Sequence, residues 1–446
     1  MKPPVGGART AAALAIDRIL GSNRAADRYL RQAASQLDER DRKLMNQLAL
    51  GSLRWLRRLD HIIESASSRS LDQIDADLRS PLRIAVYELL FLDRIPVYAS
   101  VNEAVDEARR RTHRRGGAFV NAVLRRISRR RDLDAWPIKE SDPARRLAIE
   151  WSHPDFLVSR WIDIYGQQVT RHLLEIYNIP KPLHLLTFKD RGGRDLARQA
   201  LQKEGVIADP STLAPNGLIV REGEPFSTEV FKNGDIYIQD EVSQAAALVS
   251  PPISGERVLD VAAAPGGKTY SMLASEPHIR SVCADLSLLR IATMIENQRR
   301  LGRLIPLVAA DAGRPAFRTG FDRVVVDLPC TGTGTLRKHP ELKWRVNASE
   351  IDRLSEQGLR LLRGAAELPR VGGRLVVITC SLEEEESVGV VESLVDASSE
   401  YELADLQEHE LGQLRDSVEG PGFVRVLPAG DHDGFTLHVL ERRHAA

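Results

Sequence analysis

The 446-residue chain contains only three cysteines, and no two of them form a Cys-x-x-Cys pair. This argues against a zinc site and against a disulfide framework, so we expect no bound metal. Long apolar runs are also absent. The best stretch, residues 84–97, is interrupted by Glu88, Asp93 and Arg94, whereas a membrane helix needs about 18 apolar residues. The first ten residues, MKPPVGGART, lack the apolar segment of a signal peptide, and we therefore expect a cytoplasmic protein.

The composition is that of a soluble globular protein, with 43% hydrophobic and 28% charged residues in a chain long enough for about three domains. The 62 basic and 62 acidic residues cancel, but they are distributed unevenly. Residues 1–150 contain 29 lysines and arginines against 20 aspartates and glutamates, an excess of nine positive charges. The densest part, 109–131, is either a solvated helix face or a surface that contacts the phosphates of a polyanion.

Periodicity divides the chain into three segments. Residues 1–140 repeat apolar positions at helical spacing and predict an all-helical domain. Residues 141–248 mix helical and short extended stretches, separated by proline and glycine, and predict a small α+β connector domain. Residues 249–446 alternate β-branched runs with helical stretches, which predicts a doubly wound, mostly parallel α/β sheet.

A turn of small residues follows the first strand of the third segment: residues 262–268 read AAAPGGK. Its glycines let the backbone approach a ligand closely, although the spacing is neither that of a Walker loop nor GxGxxG. Asp285 and Asp311 end the next two strands, where carboxylates commonly bind a ribose and an adenine amino group. Each acid alone is also explained as a helix cap. In series, the three features indicate an adenosine-containing cofactor.

Two of the three cysteines follow the fourth and fifth strands, Cys330 in Asp-Leu-Pro-Cys and Cys380 in Thr-Cys-Ser. Ligands bind at the carboxyl ends of parallel strands. Cys283 lies inside a strand and is interpreted as a buried filler. A thiolate that adds to carbon 6 of cytosine makes carbon 5 nucleophilic toward a methyl group, and a base must then remove the carbon-5 proton. Asp327, the first residue of the Asp-Leu-Pro-Cys motif, is placed to hydrogen-bond the ring.

These motifs together resemble the NOL1/NOP2/Sun family of RNA cytosine-5 methyltransferases, through residues 262–268, 327–330 and 379–381. The first segment is similar to the NusB-like domain of the RsmB/Sun/Fmu branch, in IPVYASVNEAV (95–105) and FVNAVLRR (119–126). The resemblance implies an α/β Rossmann-like methyltransferase domain preceded by an all-α NusB-like domain and a small α+β connector. It further implies S-adenosyl-L-methionine as cofactor, small-subunit (16S) ribosomal RNA or its precursor as partner, and a monomer that binds no membrane.

The resemblance also implies roles for individual residues. Cys380 matches the nucleophile that forms the adduct with cytosine carbon 6, and Cys330 matches the cysteine that aids product release. The implied cofactor-binding positions, of which Asp327 is also a catalytic candidate, are Ala262, Ala263, Ala264, Pro265, Gly266, Gly267, Lys268, Asp285, Asp311 and Asp327. The basic stretch supplies the candidate RNA-binding residues Arg109, Arg114, Arg115, Arg125 and Arg126.

The chain departs from the family pattern at several positions, among them Ala262, Leu328 and Thr436. Ala262 replaces the usual cysteine at the start of the cofactor turn, where small size is what matters. Leu328 replaces an alanine and is expected to add bulk beside the target base. Thr436 replaces the second phenylalanine of the family's closing Asp-Gly-Phe-Phe motif.

Three alternatives remain open from the sequence. The same chemistry on transfer RNA requires no change of fold or site. A DNA cytosine-5 methyltransferase would use Cys330 as nucleophile, but it would leave Cys380 idle and the chain has no Glu-Asn-Val motif. A non-catalytic NusB-like RNA-binding or antitermination factor would have no need of the two cysteines.

Overall fold

The computed structural model describes residues 7–22, 26–112, 114–314 and 316–444. The chain divides into two compact units. The helical unit comprises Met1–Ile179 and Leu336–Asn347, and the sheet unit comprises Pro180–Thr335 and Ala348–Ala446. Within the described ranges, no helix has the length and apolar character needed to cross a membrane.

The helical unit is built from amphipathic helices whose apolar faces pack into shared cores. Asp38 and Asp75 begin two of them by accepting a hydrogen bond from a backbone N–H of the first turn. The helical fold predicted for the first segment is confirmed in the residues that the structure describes there. The helices are α1 (Ala8–Leu20), α2 (Ala26–Ala34), α3 (Glu39–Arg54), α4 (Leu56–Ser67), α5 (Ala76–Phe91), α6 (Val97–Arg111), α7 (Arg114–Ser128), α8 (Pro143–Glu150) and α9 (Asp155–Tyr177, kinked at Gly166).

The segment Leu336–Asn347, although distant in sequence, is part of the helical unit. The Nζ of Lys343, a side chain only 1% exposed, donates to the carbonyl of Arg54 at 2.7 Å, and the Trp344 indole donates to the carbonyl of Leu53 at 2.7 Å. The Arg54 guanidinium in turn donates to the carbonyl of Arg337 at 2.7 Å. Burial holds the pKa of Lys343 well below its usual value. These bonds fix the segment against the carboxyl end of α3.

The sheet unit begins with a small antiparallel sheet. Buried aliphatic side chains on β1 and β3 pack against the helix that follows β1. The elements are β1 (His184–Thr187), α10 (Gly193–Lys203), β2 (Ile207–Pro210), β3 (Gly217–Glu222), α11 (Glu229–Lys232), β4 (Ile236–Ile238) and α12 (Glu241–Ala246), with strand order β2-β3-β1-β4.

The rest of the sheet unit forms one larger sheet. Its elements are β5 (Arg257–Asp260), α13 (Gly267–Ser275), β6 (Arg280–Asp285), α14 (Leu288–Leu301), β7 (Leu307–Ala309), β8 (Phe321–Asp327), α15 (Ala348–Ala365), β9 (Pro369–Thr379), α16 (Val388–Val395), β10 (Tyr401–Leu403), α17 (Glu408–Leu411), β11 (Val418–Gly420), β12 (Phe423–Val426) and β13 (Phe435–Arg442).

The strand order of this sheet is β11-β12-β13-β9-β8-β5-β6-β7, with β10 paired to β13. Strands β7, β6, β5, β8 and β9 are parallel, as predicted, and β13 adds to β9 in the antiparallel direction. Because the chain runs outward from β5 on one side and returns to β8 on the other, the strand order reverses beside β5. Such a reversal opens a crevice at the carboxyl ends of the strands.

Candidate active site

The predicted site residues converge at the carboxyl ends of the parallel strands. Asp285 is the last residue of β6, Asp327 is the last residue of β8, and Cys380 directly follows β9. In the parallel register Asp327 lies opposite Ile378, so the loops after β8 and β9 start at the same level. The two cysteine motifs are therefore neighbours in space.

The thiols of Cys330 and Cys380 are in hydrogen-bond contact, with 3.3 Å between their sulfur atoms. This bond, burial and the negative charge of Asp327 raise the pKa of the Cys380 thiol well above its usual value, and the Lys268 ammonium opposes them only in part. Cys380 is consequently a neutral thiol in the free protein.

Lys268 places a positive charge beside the cysteine pair. Its Nζ lies 2.5 Å from Oδ2 of Asp327 and 5.6 Å from the ring centroid of Phe435. Burial opposes the ammonium charge, but the Asp327 carboxylate outweighs it, and the pKa of Lys268 is raised. The predicted residues Lys268, Asp327 and Cys380 thus form one electrostatically connected group.

The turn 262–268 is held in shape by neighbouring side chains and backbone bonds. Gly266 adopts φ +112°, and a β-carbon there would lie 2.4 Å from the ring of Tyr270. The carbonyl of Pro265 accepts hydrogen bonds from the hydroxyl of Tyr237 at 3.4 Å and from the amide of Asn297 at 3.2 Å. The result is a fixed loop of small residues that leads into α13.

Asp285 presents a buried carboxylate next to this turn. It accepts hydrogen bonds from the N–H of Ala264 at 3.2 Å and from the N–H of Ser287 at 2.8 Å. The Arg290 guanidinium, itself largely exposed, lies 3.0 Å from the same carboxylate. Asp285 is therefore hydrogen-bonded to the turn 262–268 and also forms an ion pair with the largely exposed Arg290.

Asp311 lies two residues beyond β7 and is more exposed than Asp285. It accepts the N–H of Gly313 at 2.9 Å and pairs with Arg360 at 3.1 Å. The backbone bond from Gly313, with the positive charge of Arg360, lowers the pKa of Asp311. Asp311 is therefore an ionised acceptor at the third strand end.

Sequence reasoning missed several residues that shape the site. Asp260, the last residue of β5, is buried and accepts the Thr269 hydroxyl at 2.8 Å; burial raises its pKa to about 7. Its position at a strand end was the available signal. Tyr237 on β4 and Asn297 on α14 contact the turn 262–268 from elements distant in sequence, so no local pattern marked them as site residues. Cys283 is fully buried inside β6, as expected.

The departures from the family pattern have different consequences. The expectation that Leu328 adds bulk beside the target base is wrong, because its side chain is 3% exposed and packs in the apolar core with Val326 and Leu362. Thr436 is buried and donates its hydroxyl to the carbonyl of Ser381 at 3.0 Å, so it ties β13 to the loop after β9.

The candidate RNA-binding arginines all lie on α6 and α7 of the helical unit, and two of them have internal partners. Arg109 pairs with Asp106 at 3.1 Å, and Arg126 donates to the carbonyl of Ala66 at 3.1 Å. The other three, Arg114, Arg115 and Arg125, are exposed on α7. Across 7–22, 26–112, 114–314 and 316–444, no group of three or more His, Cys, Asp or Glu side chains is arranged to hold a metal ion.

Comparison with known proteins gives three family matches along the chain. Residues 7–129 match the NusB family, residues 153–227 match the ferredoxin-like domain of RsmF/B-like methyltransferases, and residues 247–441 match the 16S rRNA methyltransferase RsmB/F model. The predicted NusB-like and methyltransferase domains are thereby confirmed.

Similar proteins of known name cover nearly the whole chain. The probable ribosomal RNA small subunit methyltransferase B of Bacillus subtilis is 32% identical over 92% of both chains. The ribosomal RNA small subunit methyltransferase B of Pseudomonas syringae is 31% identical over 96% of this chain and 95% of the relative.

Two solved structures share the fold. PH0851 aligns with a TM-score of 0.80 at 24% identity, over 99% of this chain and 100% of the other. NSun6 from Pyrococcus horikoshii aligns with a TM-score of 0.57 at 21% identity, over 65% of this chain and 98% of the other. These structures show the shared fold, and the relatives together with the family matches along the sequence show that the chain belongs to the RsmB/F family of 16S rRNA methyltransferases.

Proposed function

We propose that the protein methylates carbon 5 of a cytosine in small-subunit ribosomal RNA with S-adenosyl-L-methionine, through a covalent Cys380–cytosine adduct. The observation that carries the proposal is the contact between Cys330 and Cys380, 3.3 Å apart, beside the Lys268–Asp327 pair. Methylation of oxygen or of an exocyclic nitrogen needs no thiol nucleophile. Two thiols at one strand-end crevice fit carbon-5 chemistry, which needs both addition and elimination.

In this mechanism the sulfur of Cys380 bonds to carbon 6 of the ring while the thiol proton passes to the Asp327 carboxylate, which can then donate a hydrogen bond to the ring. Because the free thiol is neutral, deprotonation accompanies entry of the base, with the Lys268 ammonium stabilising the thiolate. The carbon 5–carbon 6 electron pair shifts toward carbon 5 and the ring edge, where Asp327 hydrogen-bonds the ring. After carbon 5 has received the methyl group, its proton passes to a base and the electron pair left behind re-forms the carbon 5–carbon 6 double bond. The carbon–sulfur bond then breaks and Cys380 leaves as the thiolate. Cys330 lies within reach to take part in this last stage.

The residues around the turn fit an adenosine-containing cofactor. The turn 262–268 consists mostly of small residues that let a ligand approach the backbone, the buried carboxylate of Asp285 suits ribose hydroxyls, and the ionised Asp311 suits an amino group. When bound, S-adenosyl-L-methionine supplies the electrophilic methyl group. The related fold of NSun6, solved with SFG, an analogue of this cofactor, supports the assignment.

The proposal is tested by methyl transfer from labelled S-adenosyl-L-methionine to unmethylated 16S rRNA, with transfer RNA and DNA as parallel substrates. We expect label on the 16S rRNA, recovered as 5-methylcytidine when the RNA is digested to nucleosides. Label recovered as another methylated nucleoside would overturn the chemistry. Label on transfer RNA alone would overturn the substrate, and no label on any substrate would favour a binding protein.

We further propose that α7 contacts RNA phosphates. This helix carries four arginines and no acidic residue, whereas acidic residues of α6 pair with the arginines of that helix. Arg114, Arg115 and Arg125 are exposed. A guanidinium that faces solvent without a neighbouring carboxylate on its helix is available to a phosphate and releases counter-ions when it binds one.

Replacing Arg125 by glutamine is therefore expected to reduce the slope of log affinity against log salt by about one, and the triple change at 114, 115 and 125 by about three. RNA binding measured between low and moderate salt checks this. Arg353→Gln is the matched control, because Arg353 is exposed but pairs with Glu350. An unchanged slope in the triple variant would show that α7 is a solvated face.

A further inference from the structure

Glu386 is a buried carboxylate placed between the two cysteine loops. It ends the short helical turn Glu384–Glu386 that follows Cys380, and it is only 1% exposed, whereas Glu384 and Glu385 on the same turn are exposed. Within the turn only Glu386 is buried, and Glu383, which directly precedes the turn, is buried as well. The residues that contact the Glu386 carboxylate therefore indicate its role.

The carboxylate binds the residue that follows each cysteine. One oxygen accepts the N–H of Thr331 at 2.8 Å, and the other accepts the hydroxyls of Thr331 at 2.6 Å and of Ser381 at 2.5 Å. Thr331 follows Cys330 and Ser381 follows Cys380. One side chain thus bridges the loops that carry the two thiols.

A second layer of bonds joins the same loops. The Thr333 hydroxyl contacts the Ser381 hydroxyl at 3.2 Å and accepts the N–H of Leu382 at 2.9 Å. The N–H of Gly334 donates to the carbonyl of Cys380 at 2.8 Å, and a β-carbon at Gly334 would lie 2.8 Å from that oxygen. These bonds hold the two loops side by side, next to the contacts that Glu386 makes.

Burying a carboxylate is unfavourable, and three hydrogen bonds do not fully offset the cost, since burial still raises the pKa of Glu386 to about 7. A neutral apolar side chain would fill the space at lower cost. What such a side chain does not supply is a set of acceptors that binds both loops at once.

We propose that Glu386 is a positioning residue that holds the Cys330 and Cys380 thiols in contact. It touches neither thiol and acts through Thr331 and Ser381. Its consequence for catalysis rests on the proposed function, because only an addition–elimination reaction that uses both thiols requires their separation to be fixed.

The first test measures the thiol pair in the free protein with dibromobimane, which becomes fluorescent when it bridges two nearby thiols. We expect Glu386→Ala to slow bridging about tenfold or more relative to wild type. Glu386→Gln should bridge nearly as fast as wild type. The amide oxygen can still accept the N–H of Thr331, and the amide nitrogen can donate to the hydroxyls of Thr331 and Ser381 if these rotate to accept. Glu384→Ala is the matched control, since Glu384 is exposed on the same turn. Cys330→Ala sets the background.

The second test measures methyl transfer by the same variants. We expect Glu386→Ala to lower kcat about a hundredfold with little change in KM for RNA or cofactor, and Glu386→Gln to recover most of the loss. Thr331→Val removes one hydroxyl and keeps the backbone bond, so an intermediate loss is expected from a variant that conserves side-chain shape. The thermal unfolding midpoint of each variant shows whether a loss of activity comes from misfolding or from displaced thiols in a folded protein.

Wild-type bridging and wild-type kcat in a folded Glu386→Ala would overturn the proposal, and so would a Glu386→Gln variant as impaired as Glu386→Ala. If Glu386→Ala does not fold, unchanged bridging and kcat in Thr331→Val would overturn it instead. If wild type bridges but transfers no methyl group, the proposed function fails while the bridging rates still decide the role of Glu386.

Discussion

Cys380→Ala is expected to abolish methyl transfer, and Cys330→Ala is expected to leave the protein covalently attached to its RNA. The two thiols are in contact at 3.3 Å, so either substitution leaves the other sulfur at the site. Without Cys380 no bond to carbon 6 forms, and activity should fall by about a thousandfold or more. Without Cys330 the adduct forms and is methylated, but its breakdown is slow. A denaturing gel after incubation with S-adenosyl-L-methionine and 16S rRNA separates the two results.

Cys283→Ala is the matched control for this experiment. Cys283 is fully buried inside β6, where its thiol contacts the Thr269 hydroxyl at 3.3 Å, so its loss should affect stability and not adduct formation. A stable adduct with Cys380→Ala and none with Cys330→Ala would exchange the two roles. Full turnover by Cys380→Ala would remove this thiol from the mechanism.

Asp285→Ala is expected to weaken binding of S-adenosyl-L-methionine by about a hundredfold. A hydrogen bond to a charged group contributes about 1.5–3 kcal/mol, and the substitution removes the carboxylate that we assign to the ribose. It also removes the acceptor for the N–H groups of Ala264 and Ser287, so the turn next to the cofactor loses a support. Calorimetric titration of the free protein with the cofactor measures the change without any RNA.

Two further variants serve as comparisons for the Asp285→Ala titration. Asp285→Asn keeps an acceptor for the backbone and should lose less affinity than Asp285→Ala. Asp352→Ala removes an exposed acid from α15 and should bind the cofactor like wild type. Equal affinity of Asp285→Ala and wild type would contradict the assignment of Asp285 to the cofactor.

The sequence indicated the parallel core of the sheet and its strand-end residues because these depend on local patterns. Each of β5, β6, β8 and β9 contains a short apolar stretch that ends at or just before a polar or sulfur side chain, and parallel topology then brings those ends together. The contact between the Cys330 and Cys380 thiols follows from the parallel pairing of β8 with β9, which the alternation of strands and helices in the sequence predicts.

What the sequence did not indicate depends on long-range partners. Strands β10 and β11 are three residues long and have exposed or half-buried positions, so no alternation marks them. Glu386 looks like one more acid in a run of glutamates until its contacts with Thr331 and Ser381 are known. Leu328 was misplaced for a related reason: a residue just after a strand points either to the crevice or to the core, and sequence alone does not decide which.

The segment Leu336–Asn347 bears on how such a chain is inherited. The polypeptide enters the helical unit twice, first as residues 1–179 and again between Thr335 and Ala348. Lys343 and Trp344 are satisfied by carbonyls at the end of α3, so their fit depends on the backbone of a domain encoded more than 280 residues earlier. A chimera that takes its first 179 residues from another relative must therefore present backbone carbonyls at the same places to Lys343 and Trp344. The two stretches, distant in the gene, must therefore remain structurally compatible with each other.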